Sequence, residues 1–329
     1  MSASTFALTA GRDAPVSGCP RCGSEAYLTL FFGRDRLYRT TDRRFRVVEC
    51  GSCGMIRLRP LPTPAELAEF YPESYWWDAE ESAAGRLAEI YRRLVLADHV
   101  AFAAKAVRGS GPVLDIGCGG GLFPHALARR GVRCFGADLS RHAAAICWRE
   151  RQVPAVCSGL PDVCFRPGSF AAVCLFHVIE HLPNPMAALV AIERLLAPGG
   201  RLILQAPNAA CWQMLLLGER WNGFDVPRHL IHYRPEDLEE LLRAAGFELR
   251  RRKLFSLRDN PAGLATSLAP GLDPMARRVR RIPETPSGAL VKNLLYFALV
   301  VASTPLTLLE AAGGAGSTIM VEAARIGDP

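Results

Sequence analysis

Two Cys-x-x-Cys-Gly knuckles open the chemistry of this chain: Cys19 with Cys22, and Cys50 with Cys53, with 27 residues between the pairs. Each knuckle turns tightly enough to aim two thiolates at one ion, and the following glycine lets backbone amides face the sulfurs. Four thiolates make a closed tetrahedral site of the kind zinc takes. A closed site leaves no position for substrate, so the expected role is structural. A redox dithiol would need only one of the two pairs. A second constellation is His177-Val-Ile-Glu180-His181, whose three titratable groups stand at i, i+3 and i+4. One helical turn would present them together. Imidazoles beside a carboxylate can take a proton or position a substrate. A third cluster runs from Trp221 through Asp225, Arg228 and His229 to His232 and Tyr233. It is too polar and aromatic for a plain helix, and His229 is its candidate base.

These groups need a scaffold, and one stretch supplies it. Val113-Leu-Asp-Ile-Gly-Cys-Gly-Gly-Gly121 reads as a buried strand running into a glycine turn, and a second strand ends on Asp138, seventeen residues after Gly121. A glycine turn after one strand and an acid at the tip of the next form a nucleoside-binding crevice. The glycines are Gly117, Gly119 and Gly121, with Cys118 between and Asp115 before them. A dinucleotide fingerprint would want glycine at 122, where Leu122 stands, and no Lys-Ser/Thr follows to make a phosphate-cradling loop. Asp138 is placed to accept from both ribose hydroxyls. Asp115 would hold the turn or meet a ligand ammonium. Leu139, Gly159, Leu160 and Phe176 complete the expected cofactor wall.

Residues 113–131 resemble the first motif of class I S-adenosylmethionine (SAM)-dependent methyltransferases. The order of matching segments continues through Asp138, Phe170, residues 176–182 and residues 198–208. The resemblance implies a doubly wound α/β fold with a seven-stranded sheet, and SAM as cofactor. Where that family usually has Phe-Asp, this chain has Phe170-Ala171, one carboxylate fewer. Residues 177–181 resemble the ubiquinone-biosynthesis O-methyltransferases, where Glu-x-x-Glu-His holds a divalent cation. Here His177 occupies the first position, so the implied cation would meet His177, Glu180 and His181. The Pro-Arg-His-Leu segment ending at Leu230 is similar to the same group and implies a place on the substrate side. The cysteine-rich front resembles the zinc-binding domain that precedes some sugar and natural-product methyltransferases. Together these imply O-methylation of a small acceptor.

The remaining pattern places the supporting elements. Helices are expected at residues 86–107 (apolar face Leu87, Ile90, Tyr91, Leu94, Ala97, Ala101), 122–130, 140–151 and 186–196. Strands are expected at 132–137, 155–157, 171–176, 201–206, 247–254 and 318–324, and ribbon strands at 27–32 and 45–49. A proline-rich link ends a zinc-ribbon domain at residue 64. Linker and helices then fill 65–110, the core 111–254, a helical insertion 255–316, and the last core strand 317–329. Tyr71, Tyr75, Trp76 and Trp77 form an aromatic cluster that either packs a seam or walls a pocket. The insertion would sit over the carboxyl ends of the strands, where ligands bind. Its all-apolar stretch at 294–302, interrupted at Pro305, is too short to span a bilayer. It suits a lid, a subunit contact or an interfacial membrane contact through residues 277–312, and it favours a lipophilic acceptor.

With 329 residues, half of them apolar, the chain can bury a large core. Its net charge of +7 gathers in runs at 250–253 and 277–281, which could meet phosphates, nucleic acid or anionic lipid. Nucleic acid is the weaker partner, because the ribbon has few stacking aromatics and no Pro-Pro-Tyr-type motif follows the fourth strand. A non-catalytic binding protein is the remaining rival, hinted at by Ala171 alone. Residues 1–10 lack a secretory pattern, and eleven cysteines argue for a reducing compartment. The expectation is a cytoplasmic enzyme.

Overall fold

The computed structural model describes residues 18–72, 75, 83–107 and 111–328, with backbone alone at 64 and 83–93. The readings placed on residues 1–10, on Trp76 and Trp77, and on the side chains of Leu87, Ile90 and Tyr91 therefore lie outside the described residues. In chain order the elements are β1 (Tyr27–Gly33), β2 (Phe45–Cys50), β3 (Ile56–Arg59), α1 (Pro64–Glu69), α2 (Ala83–Ala106), β4 (Val113–Ile116), α3 (Leu122–Ala128), β5 (Cys134–Asp138), α4 (Arg141–Arg151) and β6 (Ala155–Cys157). Then follow β7 (Phe170–Phe176), α5 (Pro185–Leu195), β8 (Leu196–Pro207), α6 (Trp212–Leu217), β9 (Ile231–His232), α7 (Pro235–Ala244), β10 (Phe247–Lys253), α8 (Asp259–Leu268), α9 (Pro274–Val279), α10 (Pro286–Ala312) and β11 (Thr318–Arg325).

Seven strands form the main sheet in the order β10-β11-β8-β7-β4-β5-β6. β11 runs antiparallel to both neighbours and every other pairing is parallel. β4 and β7 read as unbroken apolar runs apart from Asp115, because helices cover both faces of a parallel sheet. The chain leaves β4 toward β5 on one side and later returns beside it as β7. That reversal opens a crevice at the carboxyl ends of these strands. The fold is the expected α/β methyltransferase architecture.

A second, four-stranded antiparallel sheet joins β1, β2 and β3 to β9. The last of these comes from residues beyond β8, where Ile56 pairs with His232 and Arg57 with Ile231. The ribbon therefore shares a sheet with the strand that closes the Trp221–Tyr233 segment. Ion pairs reinforce the seam: Arg21 to Asp237, Arg234 to Glu49, and the buried Arg228 to both Asp35 and Asp225.

Three expectations need correction. α2 turns Leu94 and Ala97 outward and buries Val95, Leu96, His99, Val100, Ala103 and Ala106. Small alanines allow close approach to the core, and His99 must reach a partner described below. The strand expected at 201–206 starts five residues earlier, as the twelve-residue β8 from Leu196, with Gly199 at φ +74° taking the bend. Pro305 does not end the apolar helix; α10 continues through it for 27 residues, with Thr304 and Thr307 hydroxyls bonded to the carbonyls of Val300 and Thr304. Among the described residues α10 is the one helix long and apolar enough to cross a membrane by length and composition.

The basic runs are also largely spent inside the fold. Arg250 pairs with Glu248, Arg251 with Glu322, Lys253 with Asp98, and the buried Arg277 with Glu284. Arg252 and Arg281 remain exposed.

Candidate active site

The glycine turn is built as its spacing requires. Gly117, Gly119 and Gly121 all have positive φ, at +73°, +51° and +77°, a region L side chains rarely adopt. A Cβ on Gly117 would strike Val178, and one on Gly121 would strike the sulfur of Cys147. At Gly119 a Cβ would meet nothing within 4 Å, so this glycine borders open space. Gly121 caps α3, whose first-turn amides face the crevice. Asp115 is buried in β4, and burial pushes its carboxyl well above the usual range. Cys118 is also buried, packed near Gly136.

Asp138 does more than wait for a ribose. Its carboxylate accepts from the Gly119 amide at 2.9 Å and from the Ser140 amide at 2.8 Å. The acid thus ties the glycine turn to the end of β5. Burial raises its pKa, and the two amides oppose that shift. A carboxylate with two oxygens still has acceptor capacity for hydroxyls. Leu139 is 77% exposed beside it, and Gly159 lies close enough that a Cβ there would strike Leu139. Leu160 is half-buried. Phe176 closes the inner end, edge-on to Phe123 at 4.6 Å and to His99 at 5.1 Å between ring centres. The rim beside Asp138 is thus apolar, with Leu139 exposed on it.

The second cluster lies just past β7. His177 ends the strand with φ +57°, and a 3-10 turn, Ile179–His181, carries Glu180 and His181. His177 Nδ1 is 3.1 Å from Glu180 Oε1, and its Nε2 is 3.5 Å from Asp259 Oδ1. Burial disfavours charge on this ring, but Asp259 and Glu180 outweigh it and raise its pKa to about 9. The Gln205 side-chain nitrogen lies 2.7 Å from Nε2, and the roles in that contact depend on the ring's tautomer. Burial alone would raise Glu180, yet His177, then His181 and His229, bring it down to about 2.

His181 behaves in the opposite way. Burial and the neighbouring His229 lower its pKa to about 4. Its Nδ1 is 2.9 Å from the Tyr71 hydroxyl and 3.0 Å from the Arg228 carbonyl. A proton donated from Nδ1 to that carbonyl leaves a lone pair on Nε2. His229 is held likewise, with Nδ1 2.8 Å from the Gly223 carbonyl and Nε2 3.9 Å from Glu180. The two rings stand edge-on at 4.7 Å.

Ligand atoms of Glu180, His181 and His229 all lie within 4.8 Å of one another. The expected convergence of His177, Glu180 and His181 is not what forms: His229 takes the place of His177, which faces Asp259 instead. Glu180 Oε2 is buried without a hydrogen-bond partner. Two imidazoles with free Nε2 lone pairs and a carboxylate with a spare oxygen fit a divalent cation.

His177, His181 and His229 border a cavity of about 290 Å³ together with Tyr75, Asp259 and Tyr296. Its walls come from the aromatic cluster, the strand ends, α8 and α10, so the insertion does cover the carboxyl edge of the sheet. Four side chains here escaped sequence reasoning. Asp259 accepts from Gln205 at 2.6 Å and from Ser256 at 2.7 Å and stands 3.3 Å from His99. It lies in the insertion with no local motif around it. Gln205 and His99 are likewise motif-free. Tyr71 was at least inside a visible aromatic cluster.

The four cysteines also meet. Cys19 and Cys53 sulfurs are 3.6 Å apart, as are those of Cys22 and Cys50, and all four lie within 4.8 Å. A tetrahedron with bonds of about 2.3 Å needs sulfurs about 3.8 Å apart, so the set fits zinc. Gly23 and Gly54 have nearly equal φ of +73° and +75°, and their amides bond back to Cys19 and Cys50, so the two knuckles are conformational copies.

A doubly wound sheet with a nucleoside crevice at its switch point, and histidines facing a cavity beside that crevice, define a SAM-dependent transferase fold. Comparisons with known proteins agree. The family described as "Methyltransferase domain" matches residues 88–251. A ubiquinone biosynthesis O-methyltransferase of Xanthomonas campestris pv. campestris is 32% identical over 187 residues, spanning 53% of this chain and 76% of that protein. One from Paracidovorax citrulli is 31% identical over 205 residues, 56% of this chain and 82% of that one. Among solved structures, the [4+2]-cyclase SpnF aligns with a TM-score of 0.49 and 21% identity, covering 80% of this chain and 97% of that one. The chain belongs to the class I SAM-dependent methyltransferases, and it is a methyltransferase enzyme that uses SAM.

Proposed function

We propose that the protein transfers the methyl group of SAM to a hydroxyl of a small, lipophilic acceptor, with Glu180, His181 and His229 managing the acceptor's proton. The carrying observation is that two imidazoles, His181 and His229, border the 290 Å³ cavity with the buried Glu180 carboxylate grouped beside them. The printed names of the relatives, O-methyltransferases, support oxygen as the atom methylated.

In this reading Gly117, Gly119, Gly121 and Asp138 hold the cofactor, with Asp115 and Cys118 beneath the turn. Leu139, Gly159, Leu160 and Phe176 flank its base. When bound, SAM supplies a methyl carbon already activated by sulfonium charge. The chain's task is then alignment, exclusion of water and proton removal. His181 Nε2 takes the hydroxyl proton as the oxygen–carbon bond forms and the carbon–sulfur bond breaks. Glu180 stabilises the imidazolium that results. His229 orients the acceptor oxygen, and His177, already charged, holds Glu180 and Asp259 in place.

The unpartnered Glu180 oxygen favours a second arrangement. In it Glu180, His181 and His229 would hold a divalent cation, which would supply a Lewis acid for the acceptor oxygen in place of proton removal by His181, because one Nε2 lone pair cannot both ligate and take a proton. Cys19, Cys22, Cys50 and Cys53 would hold structural zinc. None of the eleven cysteines is joined in a disulfide, which supports action in the reducing cytoplasm.

The test is methyl-labelled SAM with host metabolite extract, followed by mass spectrometry. A labelled methyl ether of an apolar metabolite is expected. Label on nitrogen, on nucleic acid or on nothing would overturn the reading.

A further inference from the structure

Helix α10 is inside out. The side that meets the body is polar: the exposed Asn293 reaches the buried Arg277, the Tyr296 hydroxyl lies 2.9 Å from that of Thr266, and Ser303, Thr307 and Glu310 are buried. Glu310 accepts from the Gln213 side chain at 2.7 Å and from its backbone amide at 2.9 Å. No charged residue lies between Lys292 and Glu310. The outer surface is apolar and open, with Leu294 59% and Leu309 62% exposed and Phe297, Val301 and Leu306 also outward. The neighbouring α6 extends this surface through Leu215 and Leu216, 78% and 80% exposed. A water-facing helix shows the reverse polarity, and an apolar surface this continuous marks a contact.

Two observations say what covers it. The first is width. The inward seam is narrow, following Tyr296, Val300, Ser303, Thr307 and Glu310, so most of the helix circumference is exposed. A second helix from another copy buries one further seam and leaves the flanks wet. An apolar slab covers all of it. The second is charge. Every acid between residues 258 and 316 (Asp259, Asp273, Glu284, Glu310) is buried or half-buried, whereas Arg281 is exposed and Arg258 and Lys292 keep solvent access. Within residues 258–316 the exposed charge is cationic; at the tip of α6 the exposed Glu219 is matched by the exposed Arg220.

We propose that α10 and the tip of α6 dock in the plane of an anionic lipid bilayer. The helix lies flat because its polar stripe is bonded to the body from Asn293 to Glu310, roughly 25 Å at about 1.5 Å per residue. Crossing the membrane would break every one of those bonds and bury them unsatisfied in lipid. Apolar insertion supplies the affinity, and the cations add headgroup attraction.

Vesicle flotation of the full chain, without SAM or acceptor, tests this separately from methyl transfer. Wild type is expected to float with phosphatidylcholine vesicles containing phosphatidylglycerol, and less with phosphatidylcholine alone. The combined L294Q, V301Q and L309Q variant should lose at least about tenfold in partitioning. The pair L215Q and L216Q, on a different helix, should weaken binding as well, should the first variant fold poorly. Arg281→Gln should cost about fivefold on anionic vesicles only. Wild type that stays in solution with both vesicle types would overturn the proposal. So would a glutamine variant that folds and still floats like wild type, or a stable dimer that closes this face and does not float.

Discussion

The two halves of the site are built from different materials. On the cofactor side the chain presents backbone: three glycines with positive φ, the amides opening α3, and one carboxylate that ties the turn to β5. On the side proposed for the acceptor it presents buried titratable side chains: His177 between Glu180 and Asp259, and His181 beside His229. The first needs about twenty-five consecutive residues of one βαβ unit. The second draws on the ribbon, the turn after β7, the segment before β9, and α8. A cofactor common to many reactions is met by a local device. An acceptor particular to one reaction is met by distant segments, and these must be held together by the fold.

Arg228 is where that holding is most exposed to attack. Its guanidinium reaches Asp35 at 2.7 Å and Asp225 at 2.8 Å inside the protein, and it stacks on Tyr38. Arg228→Ala leaves two carboxylates without their cation and should cost about 3–5 kcal/mol of stability, read as a fall in the thermal midpoint. The ribbon seam should open first, seen as faster amide exchange in β3 than in β4. Equal loss of protection in both strands would show that the two halves are not separable.

Glu180→Gln should lower kcat by about a hundredfold or more while changing the SAM Kd little. The cavity keeps its shape, but a charge that stabilises the His181 imidazolium is gone. Metal analysis of the same variant sharpens the result: a bound divalent cation present in wild type should be absent from it. Cys22→Ser should release zinc and reduce acceptor turnover more than SAM binding, since the ribbon feeds only the acceptor side. A matched loss of both would place the ribbon under the whole molecule.

The smallest effect expected is in pH. His181 and His232 are buried neutral, with pKa values lowered to about 4 and about 3. In the unfolded chain both protonate near 6.5, so stability falls as pH drops from about 6.5 toward 4. His177 runs the other way: its pKa of about 9 gives stability present below 6.5 and lost as pH rises through 9. Denaturation midpoints should therefore peak near neutrality. Substituting His177 by Gln should flatten the alkaline limb and, by releasing Glu180 and Asp259 from its charge, also weaken their contribution at the acid end.

The cofactor half was legible because its constraints are local. Positive φ selects glycine, a buried parallel strand selects an apolar run, and the acid falls one strand later. The cysteine knuckles were legible for the same reason. Of the acceptor half, the sequence could show His177, Glu180, His181 and His229, but not their pairing. His229 converges with Glu180 because β9 pairs with β3 of the ribbon, a contact between residues more than 170 apart. Asp259 recruits His177 from an insertion that no periodicity connects to β7. The exposed face of α2 was misjudged because apolar spacing cannot report that His99 has a partner. The polarity of α10 is invisible in composition, which records an apolar helix but not which side the core occupies.

The division between the halves can be measured on two variants. SAM titration by calorimetry and labelled methyl transfer should be run on wild type, Asp138→Ala and His181→Gln. SAM binding is expected to be lost in the Asp138 variant and retained in the His181 variant, with transfer lost in both. A His181 variant that transfers methyl at the wild-type rate, or an Asp138 variant that binds SAM normally, would contradict this account.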